Sequence, residues 1–143
     1  MKKFWAVLLT VLALGMVSSC DLLDSLFMNY LSFDNDFDPW TQGIDSSVDL
    51  SAASIGKVYK VVVPPKPLSL DISSPLVWGT AVYTTDSRIG PAAVHAGVIA
   101  TSGGTVYLEI LAGQDNYSNS TANGVTTMDY SSWGYSYRFT TAN

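Results

Sequence analysis

The sequence predicts an α+β fold, a single small domain in which one helix is buried among β-strands. Three observations predict it. Segments rich in β-branched and aromatic residues recur between turn signals from residue 56 onward. Only the segment 88–96 carries helix start and stop signals around an apolar face. That face is built from Ile89, Ala92, Ala93 and Ala96, small enough to let a helix approach a sheet closely.

Residues 1–19 read as a signal peptide and stay outside the fold. Lys2 and Lys3 give a positive start, Phe4 to Val17 an apolar run too short for a comfortable membrane span, and Ser18 and Ser19 small residues before a cut. Val17-Ser18-Ser19-Cys20 resembles a bacterial lipobox. The resemblance implies that Cys20, the chain's one cysteine, takes a diacylglycerol thioether and becomes an acylated amino terminus. Two or more acyl chains hold a protein stably on a membrane, at about 0.8 kcal/mol per buried CH₂.

Residues 20–51 follow as the lipidated Cys and an acidic tether, with seven Asp and no Lys or Arg. Leu23, Leu26, Phe27, Tyr30 and Leu31 recur at helical spacing, which predicts a short amphipathic helix ahead of an acidic loop. Asp34-Asn35-Asp36-Phe37-Asp38 looks like the start of a calcium loop. Pro39, however, stands where such a loop needs Gly, so the segment reads as a solvated tether.

The domain itself is expected over 52–143, with a composition change near Gly56. Lys57 to Val63 reads as a strand, stopped by Pro64, Pro65 and Pro67. Leu76 to Thr84 reads as a second strand. The helix follows over Arg88 to Ala96: Asp86 or Ser87 is placed to cap it, Pro91 suits its first turn, and Gly97 is placed to end it. Gly103-Gly104 turns the chain into Thr105 to Leu111, where Val106, Leu108 and Ile110 alternate with Tyr107, Glu109 and Leu111. Asn123-Gly124 is a hairpin turn signal, and Ser131 to Thr141 reads as the last strand.

Charge narrows the partners. Loss of Lys2 and Lys3 with the leader leaves five Lys/Arg against twelve Asp/Glu, a mature net charge of −7. No basic cluster is present to neutralise phosphates, which argues against nucleic acid and against anionic lipid headgroups. One histidine without a second His or Cys does not make a zinc site, and no cofactor is expected. Asn116 and Asn119 match glycosylation sequons but stand behind a lipobox, so they read as turn residues.

Further residues recur in an ordered series: Trp78-Gly79-Thr80, Tyr83-Thr84-x-Asp86-Ser87, Ile89, Ala92-Ala93-x-His95-Ala96-Gly97-Val98-Ile99 and Gly103-Gly104. Then come Gly113, Tyr117, Ser120, Asn123-Gly124-Val125, Tyr130, Trp133, Ser136 and Phe139. This constellation resembles the LCCL domain, here without the family's cysteines. The resemblance implies one central helix wrapped by antiparallel β-strands, a non-enzymatic module of extracellular proteins, and Trp78, Gly79, Thr80, His95, Gly97, Asn123 and Gly124 as structural motif residues. Gly90 stands where eukaryotic members carry a Cys, so no disulfide forms within the domain. Cohesion then rests on packing, with Trp78, Trp133, Tyr83, Tyr130, Tyr135 and Phe139 as expected core contributors at roughly 1.5–3 kcal/mol each. Ala122 stands where the family often has a basic residue before Asn-Gly.

Two sets of residues carry functional readings. His95 reads as a hydrogen-bonded core histidine; as a general base it would need a nucleophile and a pocket, with Asp86, Glu109 or Asp129 to orient it. Tyr117, Asn123, Trp133, Tyr135 and Tyr137 sit among Ser, Thr, Asn and Gly, a mix that resembles carbohydrate-binding surfaces. Alternation predicts Trp133, Tyr135 and Tyr137 on one side of a strand. The expected protein is therefore a lipid-anchored protein of the bacterial cell envelope that recognises a glycan, glycolipid or protein outside the cytoplasm. The family hints at lipopolysaccharide, glycolipid or polysaccharide ligands, and the negative charge favours a neutral glycan or a protein. The alternatives are an adhesion module with a purely structural role and a hydrolase using His95.

Overall fold

The structure, a computed structural model, describes residues 29–30 and 36–142. Cys20, the lipobox and most of the expected N-terminal amphipathic helix lie outside the described residues. Within that helix's span, Asn29–Tyr30 form a two-residue strand, β1. Two single-turn 3-10 helices, Ile44–Ser46 and Ala52–Ser54, precede β2 (Val58–Val63), β3 (Gly79–Thr80), β4 (Val82–Thr84), α1 (Ile89–His95), β5 (Gly104–Ala112), β6 (Thr121–Ala122), β7 (Val125–Thr126) and β8 (Tyr135–Thr140). Six strands form one sheet in the order β1-β2-β5-β8-β4-β3, antiparallel except for β1 beside β2. A separate β6–β7 hairpin turns at Asn123-Gly124. The expected α+β domain, one helix with mostly antiparallel strands, is what forms.

The period-2 pattern decides which face is buried. Tyr59, Val61 and Val63 of β2 face the core alongside Val106, Leu108 and Ile110 of β5, and the register sets Tyr59 opposite Leu108 and Val61 opposite Val106. A one-residue slip would turn both sets to solvent.

Helix α1 lies against this face and is buried along its whole length. Its ends are met from elsewhere in the chain. Neither Asp86 nor Ser87 caps it. The Ile89 and Gly90 amides donate instead to the carbonyls of Gln42 (3.2 Å) and Pro39 (2.7 Å), satisfying N-terminal donors that have no partner inside a helix. At the other end Gly97 has φ +72°. There the Val98 amide donates to the Ala93 carbonyl and the Gly97 amide to the Val94 carbonyl, the paired bonds of a glycine-terminated helix.

The N-terminal donors reveal where the domain begins. The reading of residues 20–51 as a solvated tether needs correcting over its second half. Trp40 and Ile44 are both 0% exposed, and Phe37, Val48 and Leu50 pack against the same core. The Trp40 indole covers Gly90 so closely that a Cβ there would come within 2.6 Å of the ring, and its Nε1–H donates to the Pro64 carbonyl at 2.8 Å. Asp38 is a turn residue, its carboxylate accepting the Trp40 amide at 2.9 Å. The packed domain thus starts upstream of residue 52, because a buried tryptophan outweighs the acidic residues around it.

Two further expectations change. Leu76 to Thr84 is not one strand: the chain turns at Ala81, whose φ is 62°, and forms β3 and β4 as a tight antiparallel pair. Among the expected aromatic core residues only Tyr83 is fully buried. Trp78, Trp133, Tyr135 and Phe139 are half-buried and Tyr130 is exposed. Trp40, Tyr137 and Tyr117 supply the large buried rings instead. Among the described residues, no helix is long and apolar enough to cross a membrane.

Candidate functional site

His95 is the last residue of α1 and is only 4% exposed. The sheet and the hairpin segment bring polar partners to both ring nitrogens. Nδ1 lies 2.9 Å from the Tyr83 hydroxyl and Nε2 lies 3.0 Å from Ser120 Oγ. Neither Asp86, Glu109 nor Asp129 takes the orienting role considered for them. Ser120 Oγ is 2.8 Å from Thr80 Oγ1, and Thr80 Oγ1 donates to the Ser118 carbonyl at 2.9 Å.

The proton directions along this chain follow from counting donors. The single Thr80 hydrogen goes to a carbonyl, which can only accept. Thr80 therefore accepts from Ser120, Ser120 accepts from the His95 Nε2–H, and His95 Nδ1 accepts from Tyr83. The Tyr83 oxygen in turn accepts the Ala81 amide. Burial holds the His95 pKa below the usual histidine value, offset in part by the Ser120 carbonyl, so the ring is neutral at physiological pH. Burial likewise pushes the Tyr83 phenol up, which keeps it a donor. This wiring points the Ser120 proton at Thr80, away from the imidazole, so His95 is not set to activate Ser120 as a nucleophile.

The polar chain borders a pocket. A hollow of about 350 Å³ is lined by Thr80, Ala81, Tyr83, His95, Ser120 and Phe139, with Ala96, Val98 and Ala122 completing the wall. No lining residue carries a charge while His95 is neutral. Thr80 is exposed and Ser120 half-buried. Ala81 at the rim adopts a left-handed conformation, which is unfavourable for a residue with a Cβ. The turn that holds it there also delivers its amide to Tyr83.

The aromatic candidates separate on burial. Tyr137 is fully buried, its hydroxyl donating to the Ser87 carbonyl at 3.2 Å, and burial pushes its phenol pKa well up. Tyr117 is also buried, its oxygen 2.6 Å from Ser136 Oγ and accepting the Gln114 amide. Both are core residues and do not reach a surface ligand. Asn123 occupies the left-handed turn position with φ 50° and donates to the Val94 and His95 carbonyls at 3.0 and 3.1 Å; it caps the helix C-terminus. Tyr135 begins β8 half-buried. Trp133 is half-buried and donates its Nε1–H to Thr85 Oγ1 at 2.9 Å. It meets Tyr130 edge-to-face at 5.7 Å, and Tyr130 meets Trp78 at 6.2 Å. These three rings, and not the predicted row of Trp133, Tyr135 and Tyr137, form the surface aromatic cluster.

Sequence reasoning gave Ser120 and Phe139 no role at a site and did not single out Ala81. Thr80 and Ser120 are forty residues apart, and no periodicity links them. Among the described residues no group of three His, Cys, Asp or Glu is arranged to hold a metal ion. Of the sequon residues, Asn119 is bonded to Asp129 through both its amide and its side chain, each at 2.6 Å.

Known proteins share this framework. The LCCL domain profile matches residues 46–137. Cochlin of Mus musculus is 47% identical over 64 residues, 45% of this chain and 12% of cochlin. Vitrin of Mus musculus is 39% identical over 61 residues, 43% of this chain and 9% of vitrin. Clotting factor C of Tachypleus tridentatus is 30% identical over 98 residues, 66% of this chain and 10% of that protein. The matched segment thus spans about a tenth of the length of each relative.

Because the folded pKa of His95 is depressed, its contribution to stability is complete above the unfolded value of about 6.5 and is lost as pH falls through the folded value. Urea unfolding should show stability declining as pH falls below the unfolded histidine value of about 6.5. In His95→Gln, which can still accept from Tyr83 and donate to Ser120, that decline should flatten. An unchanged slope would assign the pH dependence to other groups.

Proposed function

Since this chain belongs to the LCCL domain family, we propose that it is a non-enzymatic, lipid-anchored protein of the bacterial cell envelope whose domain holds an uncharged ligand, preferably a neutral glycan, in the pocket beside His95. The carrying observation is the pocket itself. Its volume of about 350 Å³ falls within the range of small-ligand sites, roughly 300–1,000 Å³. Its polar groups include the hydroxyls of Thr80 and Ser120, fixed in direction by the Ser118 carbonyl and the His95 Nε2–H, and its apolar wall includes Phe139. Neutral hydroxyls beside a half-buried aromatic ring suit a sugar, whose rim forms hydrogen bonds and whose face is apolar. A charged ligand would find no counter-ion in the lining, and the mature charge of −7 opposes anionic glycolipids.

A second reading has its own observation. The Trp78–Tyr130–Trp133 cluster is partly exposed, with Leu76 also 47% exposed. Exposed apolar side chains of this kind suit a protein partner in an adhesion role. The pocket reading is preferred because its polar groups converge on one concavity, whereas the three rings meet edge-to-face and their Trp133 N–H is already bonded.

Titration of the full chain with neutral oligosaccharides tests the pocket. Ala122→Trp should fill the hollow and abolish binding, and Thr80→Val should weaken it about 3- to 10-fold, the value of one neutral hydrogen bond. Binding that both variants leave intact would move the site elsewhere. For the anchor, Cys20→Ala should shift the protein out of the membrane fraction; unchanged fractionation would refute lipidation.

A further inference from the structure

The His95 pocket is one of two neighbouring hollows. The second, of about 230 Å³, is lined by Val98, Val106, Phe139 and Thr141 together with Thr105, Tyr107 and Thr140. Val98 and Phe139 also line the first. Val98 is 48% exposed and Phe139 half-buried, and the two residues are the wall shared by two open hollows.

The second hollow has a topological cause. The β5–β8 ladder stops at the Tyr107–Thr140 pair, while β5 continues to Gly104 along β2, where Val63 faces Gly104. Past Thr140, residues Gly104 to Val106 therefore have no strand partner on their β8 side among the described residues. Main-chain groups on such an edge can bond a ligand without charge. Neither hollow is lined by Asp, Glu, Lys or Arg.

From this geometry we infer that the two hollows are subsites of one groove, and that its ligand is a linear neutral oligosaccharide of at least two sugar units lying across Phe139. This rests on the pocket reading above and extends it. One unit meets the Thr80 and Ser120 hydroxyls, the ring of Phe139 carries the apolar face of the chain, and the next unit reaches the free β5 edge beside Thr141. The openness of both hollows favours a solvated sugar chain over an acyl tail, which would need an enclosed apolar cavity.

Binding of the full chain to glucose and N-acetylglucosamine oligomers of one to four units, followed by calorimetry and amide NMR shifts, tests this. Affinity should rise about tenfold from one unit to two, the effect of a second buried ring, and the longer sugars should add shifts at Thr105 and Val106. Thr141→Trp, at an exposed position beyond the end of β8, should fill the second hollow and remove the length gain. Affinity independent of length, or shifts confined to the first hollow, overturns the groove while leaving the pocket reading intact. No binding at any length overturns the pocket reading and the groove with it.

Discussion

A helix of seven residues, every one of them buried, imposes its requirements on the rest of this domain. A short helix leaves most of its terminal N–H and C=O groups without internal partners, and a buried one cannot give them to water. Each unmet group costs about 1–3 kcal/mol. The fold meets them with chain brought from both ends. Pro39 and Gln42 supply carbonyls at the N-terminus, and Gly97, Val98 and the Asn123 side chain close the C-terminus. The segment before residue 52 is therefore part of the domain, and the β6–β7 hairpin is tied to the helix by its turn residue.

The same requirement explains Gly90. It leaves the space into which the fully buried Trp40 indole fits, so the tryptophan packs directly on the helix. His95 is the one polar side chain on α1, and burial obliges it to remain neutral and bonded on both nitrogens. Its partners Tyr83 and Ser120 border the open pocket, so the bonds that satisfy a buried histidine reach the pocket wall. Site and core are continuous here: the groups that satisfy the helix also shape the concavity proposed to hold a ligand.

Much of the fold was legible because its signals are local. Alternation in Thr105 to Leu111, the small face of Ile89, Ala92 and Ala93, and Gly97 each act over a few residues, and each element formed. What could not be read depended on distant contacts. Seven Asp residues made 21–51 look solvated, and nothing local shows that Trp40 reaches Gly90. Ala81 carries no turn signal; its left-handed conformation comes from the pairing of β3 with β4. Period-2 reasoning placed Trp133 beside Tyr137, but β8 begins only at Tyr135, so the two rings do not share a face. The pocket joins residues from β3, α1, the β6 segment and β8, a meeting that only the assembled sheet defines.

Native-state amide hydrogen exchange on the full chain tests the central claim, that α1 is held from all sides by the remainder of the domain. Ala93, Val94 and His95 should exchange only through global unfolding, with an opening free energy equal to that from urea denaturation and the same denaturant dependence. If those amides open about 2 kcal/mol or more below global stability, independently of denaturant, then the helix frays on its own and the rest of the structure does not depend on it.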